Sequence, residues 1–155
     1  MSIVLLAQAL MFFGTCYFTL WQSILCLFIL HSLPIPEGLA PLAPAHIDSH
    51  LVSLINRYTL RGVPILVHCR GGVGRAGVIA CCWAIRLGLC GWVGNPRAST
   101  AEDAFPNDEV LTYVEGVISF VRRQRSMKAI ETYEQVKFLV DYVEYLRKQS
   151  TLCNI

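Results

Sequence analysis

A glycine-rich loop between an apolar run and an Ala-rich stretch is the feature that most constrains the fold of this chain. The loop extends from Cys69 to Arg75, a Cys-x5-Arg spacing, with glycines at positions 71, 72 and 74. The apolar run 63–67 precedes it, and the apolar stretch 75–89 follows it. This order predicts a strand, a tight loop and a helix, a unit of α/β folds.

The chemistry of the loop follows from this predicted geometry. A loop that enters a helix N-terminus directs several backbone N–H groups at one point, where the helix dipole adds positive potential. Such a site binds a phosphate dianion and also stabilises a thiolate, so we expect Cys69 to be nucleophilic near neutral pH. Arg75 can donate two parallel hydrogen bonds to phosphate oxygens. His68 is expected to orient the loop.

The pattern His68-Cys69-x-x-Gly72-x-Gly74-Arg75 resembles the signature loop of cysteine-dependent protein phosphatases. The longer match, over residues 67–77, is most similar to the fungal dual-specificity phosphatases, and the resemblance extends over residues 33–147. It implies a protein tyrosine phosphatase-like α/β fold with a mixed central sheet flanked by helices. It also implies that Cys69 attacks phosphorus and that water hydrolyses the resulting phosphocysteine, with no metal or cofactor. The implied phosphate-binding residues are Arg70, Gly71, Gly72, Val73, Gly74 and Arg75.

Such enzymes need a general acid for the leaving group, which the family supplies from a loop upstream of the cysteine, usually as an Asp. Glu37 stands at that distance here, between Pro36 and Gly38. A Glu is one methylene longer than an Asp, so its reach differs. Asp48 is the fallback acid, although it falls in a predicted helix start. The alternative is that Glu37 is an ordinary exposed carboxylate.

Ala76 is a second departure from the family, which usually has Ser or Thr after the arginine. That hydroxyl assists thiolate departure from the phosphoenzyme, so Ala76 implies a slow second step; the alternative is that a small residue simply packs well there. The stretch 72–77 also fits G-x-G-x-x-G, the dinucleotide-binding pattern. Residues 89–97 contain no carboxylate, and Cys69 and Arg75 would then be accidental, so we reject that interpretation.

Further family positions lie downstream. Arg125 resembles the arginine that the family places beside its active-site loops, whereas Arg122 and Arg123 are expected to complement a helix dipole. The tyrosine-specific branch has a water-positioning Gln where this chain has Glu131, which favours the dual-specificity branch. Gln135 follows a few residues later.

Residues 1–30 are almost continuously apolar, and no charged side chain precedes Glu37. The segment is long enough to span a bilayer as a helix, but it lacks the basic region and cleavage site of a secretory signal. Three interpretations stay open: a membrane anchor on a cytosolic domain, a core segment with a strand at 27–31 before the Glu37 loop, or an incorrectly assigned start. We therefore expect a catalytic domain at 31–150 that lacks the family's N-terminal strands.

The net charge and the cysteine and histidine residues indicate which partners and compartment to expect. A net charge of +2 is too small to indicate nucleic acid binding. Seven cysteines, without metal-ligand spacing, indicate a reducing, cytoplasmic compartment. Cys81 and Cys82 are expected in the core; alternatively, one of them forms a disulfide with oxidised Cys69. His31, His46 and His50 show no partner pattern and are expected to be exposed.

The resemblance therefore predicts hydrolysis of phosphotyrosine and phosphoserine/threonine in proteins, with Cys69 as nucleophile and Glu37 as acid and then base. The expected partner is a phosphorylated protein, with membrane association through residues 1–30 as an addition. One alternative is a phosphoinositide phosphatase, although its loop usually has more lysines and Arg70 is the only extra cation here. Another is a weakly active or inactive phosphate-binding module.

Helical periodicity predicts three further helices and their buried faces. A capping box at 132–135 starts the last of them, and residues 89–105 are expected to form a loop. The predicted buried positions are Ile47, Leu51, Leu54 and Ile55; Val110, Val114, Val117, Ile118 and Val121; and Val136, Leu139, Val140, Val143 and Leu146.

Overall fold

The computed structural model describes residues 2–8, 28–71, 73–91 and 107–152. Within these residues the chain forms three strands and four α-helices, with a 3₁₀ turn before the third strand. The elements are β1 (Ser2–Gln8), β2 (Phe28–Pro34), α1 (Pro44–Arg57), the 3₁₀ turn Thr59–Arg61, β3 (Ile65–His68), α2 (Gly74–Arg86), α3 (Asn107–Gln124) and α4 (Tyr133–Leu152).

The sheet brings two loops to one edge. Its order is β2-β1-β3, and β1 is antiparallel to both neighbours. Ser2 pairs with Pro34, and Val4 pairs with His68, so the C-terminal ends of β2 and β3 lie at the same end of the sheet, on either side of β1. Since neighbouring strands are about 4.8 Å apart, these ends are separated by roughly 10 Å. The loop that carries Glu37 and the loop that carries Cys69 therefore start from the same edge.

Two expectations about the sheet need correction. Both described pairings are antiparallel, so the described strands do not form the mixed sheet that was predicted, although β2 and β3 run in the same direction. A strand also precedes the Glu37 loop strand, since β1 lies at the start of the chain. A continuous apolar run suits a buried strand as well as a helix, so periodicity could not reveal β1.

The apolar segment 1–30 contains β1 and the start of β2. β2 provides the strand into the Glu37 loop that the second interpretation of this segment predicted. Residues 9–27, on which most of the anchor prediction rests, lie outside the described residues, as does most of the loop predicted at 89–105. Among the described residues, no helix is both long enough and apolar enough to cross a bilayer.

Helix α2 is the centre of the core. It contacts β3, α1, α3 and α4, and ten of its thirteen residues are buried. The predicted stripes of α1 and α3 are confirmed, because every position named for them is buried. The core thus forms around the helix that follows the glycine-rich loop, which fixes the position of that loop.

The buried face of α4 is rotated from the predicted one. Leu139, Val143 and Leu146 are buried as expected, whereas Val136 and Val140 are only partly buried. Phe138 and Tyr142 take the central positions instead, with their rings 6.4 Å apart. Large aromatic side chains bury more apolar area than valines, which explains why they select the inward face.

The fallback acid Asp48 belongs to the core. Tyr142 Oη donates a hydrogen bond of 2.9 Å to Asp48 Oδ1, and Arg86 Nε lies 3.3 Å from the same oxygen. Asp48 is only 8% exposed. Burial, assisted by the neighbouring charges, raises the pKa of Tyr142 above its usual range, so the hydroxyl stays protonated. These contacts give Asp48 a structural role that joins α1, α2 and α4.

Removing the Tyr142 hydroxyl should destabilise the fold. We expect Tyr142→Phe to lower the free energy of unfolding by about 1–2 kcal/mol, because it leaves the buried Asp48 carboxylate one hydrogen bond short. Tyr133→Phe removes a hydroxyl from a side chain that is 76% exposed. This control should change the free energy of unfolding by less than about 0.5 kcal/mol. Urea denaturation followed by circular dichroism measures both; equal effects would contradict this role of the Tyr142 hydroxyl.

Two helix glycines should respond oppositely to alanine. A Cβ on Gly77 would lie 3.2 Å from Ile130 N and 3.3 Å from Ala129 Cβ, whereas a Cβ on Gly116 would meet nothing within 4 Å. Gly77→Ala should therefore cost about 1–3 kcal/mol of stability through overpacking. Gly116→Ala should add about 0.5–1 kcal/mol, because alanine is the better helix former. Thermal or urea denaturation gives the sign of each change, and a stable Gly77→Ala protein would overturn the close approach of α2 to residues 129–130.

Candidate active site

The loop between β3 and α2 has the geometry that the sequence predicted. β3 ends at His68 and α2 begins at Gly74. Cys69 is 8% exposed and Arg75 4% exposed, while Arg70 and Gly71 between them are exposed. The loop is therefore anchored by buried residues at both ends, with Arg70 and Gly71 open to solvent. Gly72 lies outside the described residues.

The start of α2 leaves backbone donors for an anion. Val73 occupies the N-cap position and forms no side-chain capping bond, as expected because valine has no acceptor. The first N–H groups of an α-helix lack partners within the helix, and they carry the positive end of its dipole. An anion at this helix end would therefore be stabilised by both effects. Ala76, in the same first turn, is buried, and His68 is partly buried.

Arg75 connects this loop to the Glu37 loop. Its Nη1 donates a hydrogen bond of 3.3 Å to the Ile35 carbonyl oxygen. Its Nη2 lies 3.9 Å from Glu37 Oε1. The Arg75 side chain is 5% exposed, whereas that of Glu37 is 67% exposed. The structure thus places the candidate acid beside the candidate phosphate ligand, with its carboxylate in contact with solvent.

A tight turn presents Glu37. Leu39 N donates to the Pro36 carbonyl oxygen at 3.3 Å, and Gly38 has a φ of +73°. This places Glu37 and Gly38 at the two central positions of a turn whose third residue needs positive φ, the conformation that glycine adopts without strain. The flanking Pro36 and Gly38 therefore define the direction of the Glu37 side chain.

The connection between α3 and α4 contacts both loops. Thr132 Oγ1 donates a hydrogen bond of 3.0 Å to the Gly38 carbonyl oxygen. Glu131 Oε2 and Gln135 Nε2 both lie where a Cβ on Gly74 would be placed. A larger residue at position 74 would require the Glu131 carboxylate to move from the start of α2. The sequence indicated Glu131 and Gln135 by family position, but it did not indicate their contact with Gly74.

The predicted capping box at 132–135 forms only in part. Gln135 N donates to Thr132 Oγ1 at 3.4 Å, as a capping box requires. The Gln135 side chain, which is 1% exposed, instead accepts a hydrogen bond of 2.8 Å from Glu131 N. The box therefore extends one residue further back than predicted and orders Glu131 rather than Thr132.

Arg122 lies in the last turn of α3, as the dipole prediction requires, and it has a second role that was not predicted. Its Nε donates to the Ala129 carbonyl oxygen at 2.9 Å, and its Nη2 donates to that of Ile130 at 3.1 Å. Ile130 is buried and has a φ of +61°, a strained conformation for a β-branched residue. The forked donor of Arg122 stabilises this turn, and helix periodicity gives no sign of it.

Arg125, expected beside the active-site loops, lies at a separate cavity. The cavity has a volume of about 500 Å³ and is mostly apolar, with Val67, Trp83 and Phe120 among its lining residues. Val67 belongs to β3, immediately before His68, so the cavity borders the strand that leads to the loop. A direct role for Arg125 at the loop remains a prediction.

The histidines do have partners, contrary to expectation. His46 and His50 are one helical turn apart on α1, and their Nε2 atoms are 3.2 Å from each other. Burial lowers the pKa of His50, and the charges of His46 and His31 lower it further. His31 packs edge-on against Tyr58, with ring centroids 6.1 Å apart. The i, i+4 spacing was the signal in the sequence that could have indicated the His46–His50 pair.

Cys81 and Cys82 are core residues, as predicted. Both are fully buried. Burial raises the pKa of Cys81 to about 12 and that of Cys82 well above its usual value. Because disulfide exchange requires a thiolate, this environment disfavours the alternative in which one of them pairs with oxidised Cys69. None of the four described cysteines, Cys69, Cys81, Cys82 and Cys90, forms a disulfide.

Comparison with known proteins identifies the family. The model of the Swiss Army Knife protein with a DSP-PTPase phosphatase domain (PTP-SAK) matches residues 16–139. Tyrosine-protein phosphatase 1 of Saccharomyces cerevisiae is 26% identical over 134 residues, which cover 86% of this chain and 35% of that protein. The chain thus spans about a third of the length of this curated relative. The matched region contains Glu37, Cys69 and Arg75, and the chain belongs to the DSP-PTPase phosphatase family with the α/β fold of protein tyrosine phosphatases.

Proposed function

We propose that this chain hydrolyses phosphotyrosine and phosphoserine/threonine in proteins through a phosphocysteine intermediate. The observation that supports this most strongly is the contact between the two loops. Arg75, at the end of the Cys69 loop, lies 3.9 Å from Glu37 and donates to Ile35. This contact brings the candidate anion ligand and the candidate acid together at the end of the sheet where the Cys69 loop begins, which supports phosphate monoester hydrolysis by this route.

In the first step, the Cys69 thiolate attacks phosphorus and forms a P–S bond while the P–O bond to the substrate breaks. Arg75 and the N–H groups of the loop and of the start of α2 hold the non-bridging oxygens. Glu37 donates its proton to the departing ester oxygen. Since the Glu37 carboxylate is largely exposed, it can reach an oxygen that projects from the loop and then exchange protons with solvent.

In the second step, water attacks the phosphocysteine, the P–S bond breaks and the thiolate returns. Glu37, now a carboxylate, accepts the proton of the water. Glu131 takes the place of the family's water-positioning Gln and lies against Gly74, which supports a role beside the attacking water. Ala76 offers no hydroxyl to the departing sulfur, so we expect this step to limit turnover.

A non-catalytic phosphate-binding module is the second candidate. Two observations favour it: Ala76 replaces the usual hydroxyl residue, and Glu37 already occupies one side of Arg75. Such a module would bind phosphopeptides through Arg75 and release no phosphate. The phosphoinositide alternative rests on the same loop, and a parallel assay with lipid and peptide substrates separates it from protein phosphatase activity.

The nucleophile is tested with Cys69→Ser. We expect the purified protein to hydrolyse an aryl phosphate in the presence of a chelator, and Cys69→Ser to lower kcat by at least about 10³-fold, because the hydroxyl is a far weaker nucleophile. Cys90→Ser changes another free thiol and is the matched control. Undiminished turnover by Cys69→Ser would exclude the mechanism, and phosphopeptide binding without turnover by the unsubstituted chain would favour the binding module.

The acid is tested with Glu37→Gln and two leaving groups. We expect kcat/KM for phenyl phosphate, whose leaving group needs a proton, to fall about 10²-fold or more. For a nitrophenyl ester, which leaves readily as an anion, the loss should be several-fold smaller. Glu134→Gln changes another exposed carboxylate and should affect neither. Equal losses with both esters would assign Glu37 to binding through Arg75 rather than to proton transfer.

A further inference from the structure

The chain after Glu37 is unusually apolar for an exposed loop. Residues 38–45 contain no polar side chain. Leu39 is 48% exposed and Leu42 is 98% exposed. Single exposed leucines are common, but exposed apolar side chains that cluster on one surface indicate a binding surface.

A third exposed apolar side chain is brought to the same place by a tertiary contact. Tyr133 is 76% exposed, and it follows Thr132, whose hydroxyl donates to the Gly38 carbonyl oxygen. Since Leu39 follows Gly38, this hydrogen bond brings together the two chain segments that carry Leu39 and Tyr133, although they are far apart in sequence. We call Leu39, Leu42 and Tyr133 the apolar rim.

The apolar rim borders the anion site. Gly38, which anchors it, is the next residue after Glu37, whose carboxylate lies 3.9 Å from Arg75. An extended peptide advances about 3.3 Å per residue. A phosphorylated residue bound at Arg75 therefore places its neighbours in the chain within reach of the rim.

Charge and size indicate what the rim accepts. Glu37, Glu131 and Glu134 are exposed and lie within two residues of Leu39 or Tyr133 in the chain, so an anionic membrane surface or an acidic peptide segment would be repelled. Stable association with a second copy buries on the order of 1,200 Å² or more, far beyond three side chains. One apolar side chain of a peptide matches both the size and the charge.

We propose that the apolar rim binds an aliphatic or aromatic residue adjacent to the phosphorylated residue of a protein substrate. This inference rests on the proposed function for its substrate class, since it concerns the same site. It gives the site a preference that the loop alone cannot supply, because the loop contacts only phosphate. Leu39 and Tyr133 are specificity-determining residues in this proposal.

The experiment compares three phosphotyrosine peptides that differ only in the residues on either side of the phosphotyrosine, which are Leu, Ser or Glu. Binding is measured by fluorescence anisotropy on the Cys69→Ser protein, and hydrolysis on the unsubstituted chain. We expect the Leu peptide to bind about tenfold more tightly than the Ser peptide, since burying one such side chain contributes on the order of 1.4 kcal/mol. The Glu peptide should bind most weakly.

Rim substitutions then locate the preference. In the Cys69→Ser background, Leu39→Ser combined with Tyr133→Ser should reduce the Leu-to-Ser affinity ratio to about twofold or less. Leu152→Ser is the matched control: Leu152 is 68% exposed and lies at the other end of α4, about 28 Å from Tyr133. It should leave the ratio unchanged.

Each other outcome is decisive. A ratio near one in the parent protein, a preference for Glu, or a ratio that survives the double substitution would overturn the proposal. Rim-dependent binding to phosphoinositide vesicles without a peptide preference would assign the rim to lipid instead. If the Leu peptide binds preferentially but no peptide is hydrolysed, the proposal for the rim holds and the catalytic proposal fails. If the peptides are hydrolysed without any preference, the catalytic proposal holds and the proposal for the rim fails.

Discussion

A buried guanidinium connects the parts of this site. The guanidinium of an arginine carries a positive charge, and a buried charge needs partners. The Ile35 carbonyl oxygen supplies one within hydrogen-bonding distance, and Glu37 supplies a second, longer contact. The exposed Glu37 carboxylate binds weakly at this distance because solvent screens it. The Ile35 bond therefore fixes the position of the loop, while Glu37 is free to yield its place to a phosphate dianion.

The α3–α4 connection supports the same site from the other side. Arg122 holds the carbonyl groups of Ala129 and Ile130, which stabilises a strained φ at Ile130. Strain of this kind costs on the order of 1–3 kcal/mol and persists only where the surroundings enforce it. The residues that follow this turn, Glu131 and Gln135, lie against Gly74, so polar side chains contact the start of α2.

Some structural features could be predicted because a local pattern carries them. The buried faces of α1 and α3 were predicted correctly, since apolar residues repeat there with the 3.6-residue period of a helix. The position of the Cys69 loop was predicted correctly, because the loop contains glycines and lies between the patterns of a strand and a helix. On α4, side chains of different size, such as Phe138 and Val136, compete for the buried face. The 3.6-residue period alone did not predict which of them occupy its centre. β1 was missed because an apolar run does not distinguish a strand from a helix.

The sequence by itself determined the family, the spacing of Cys69 and Arg75, and the helix that follows them, because these depend on residues close together in the chain. Tertiary structure alone decided that Glu37 lies beside Arg75 while Asp48 is bound to Tyr142 and Arg86. It also decided that Thr132 reaches Gly38 across 94 residues of chain and that Arg122 binds the carbonyl oxygens of Ala129 and Ile130. These contacts join elements that are far apart in the chain and leave no periodic pattern in the sequence. Only the packing of α2 between its neighbours specifies them.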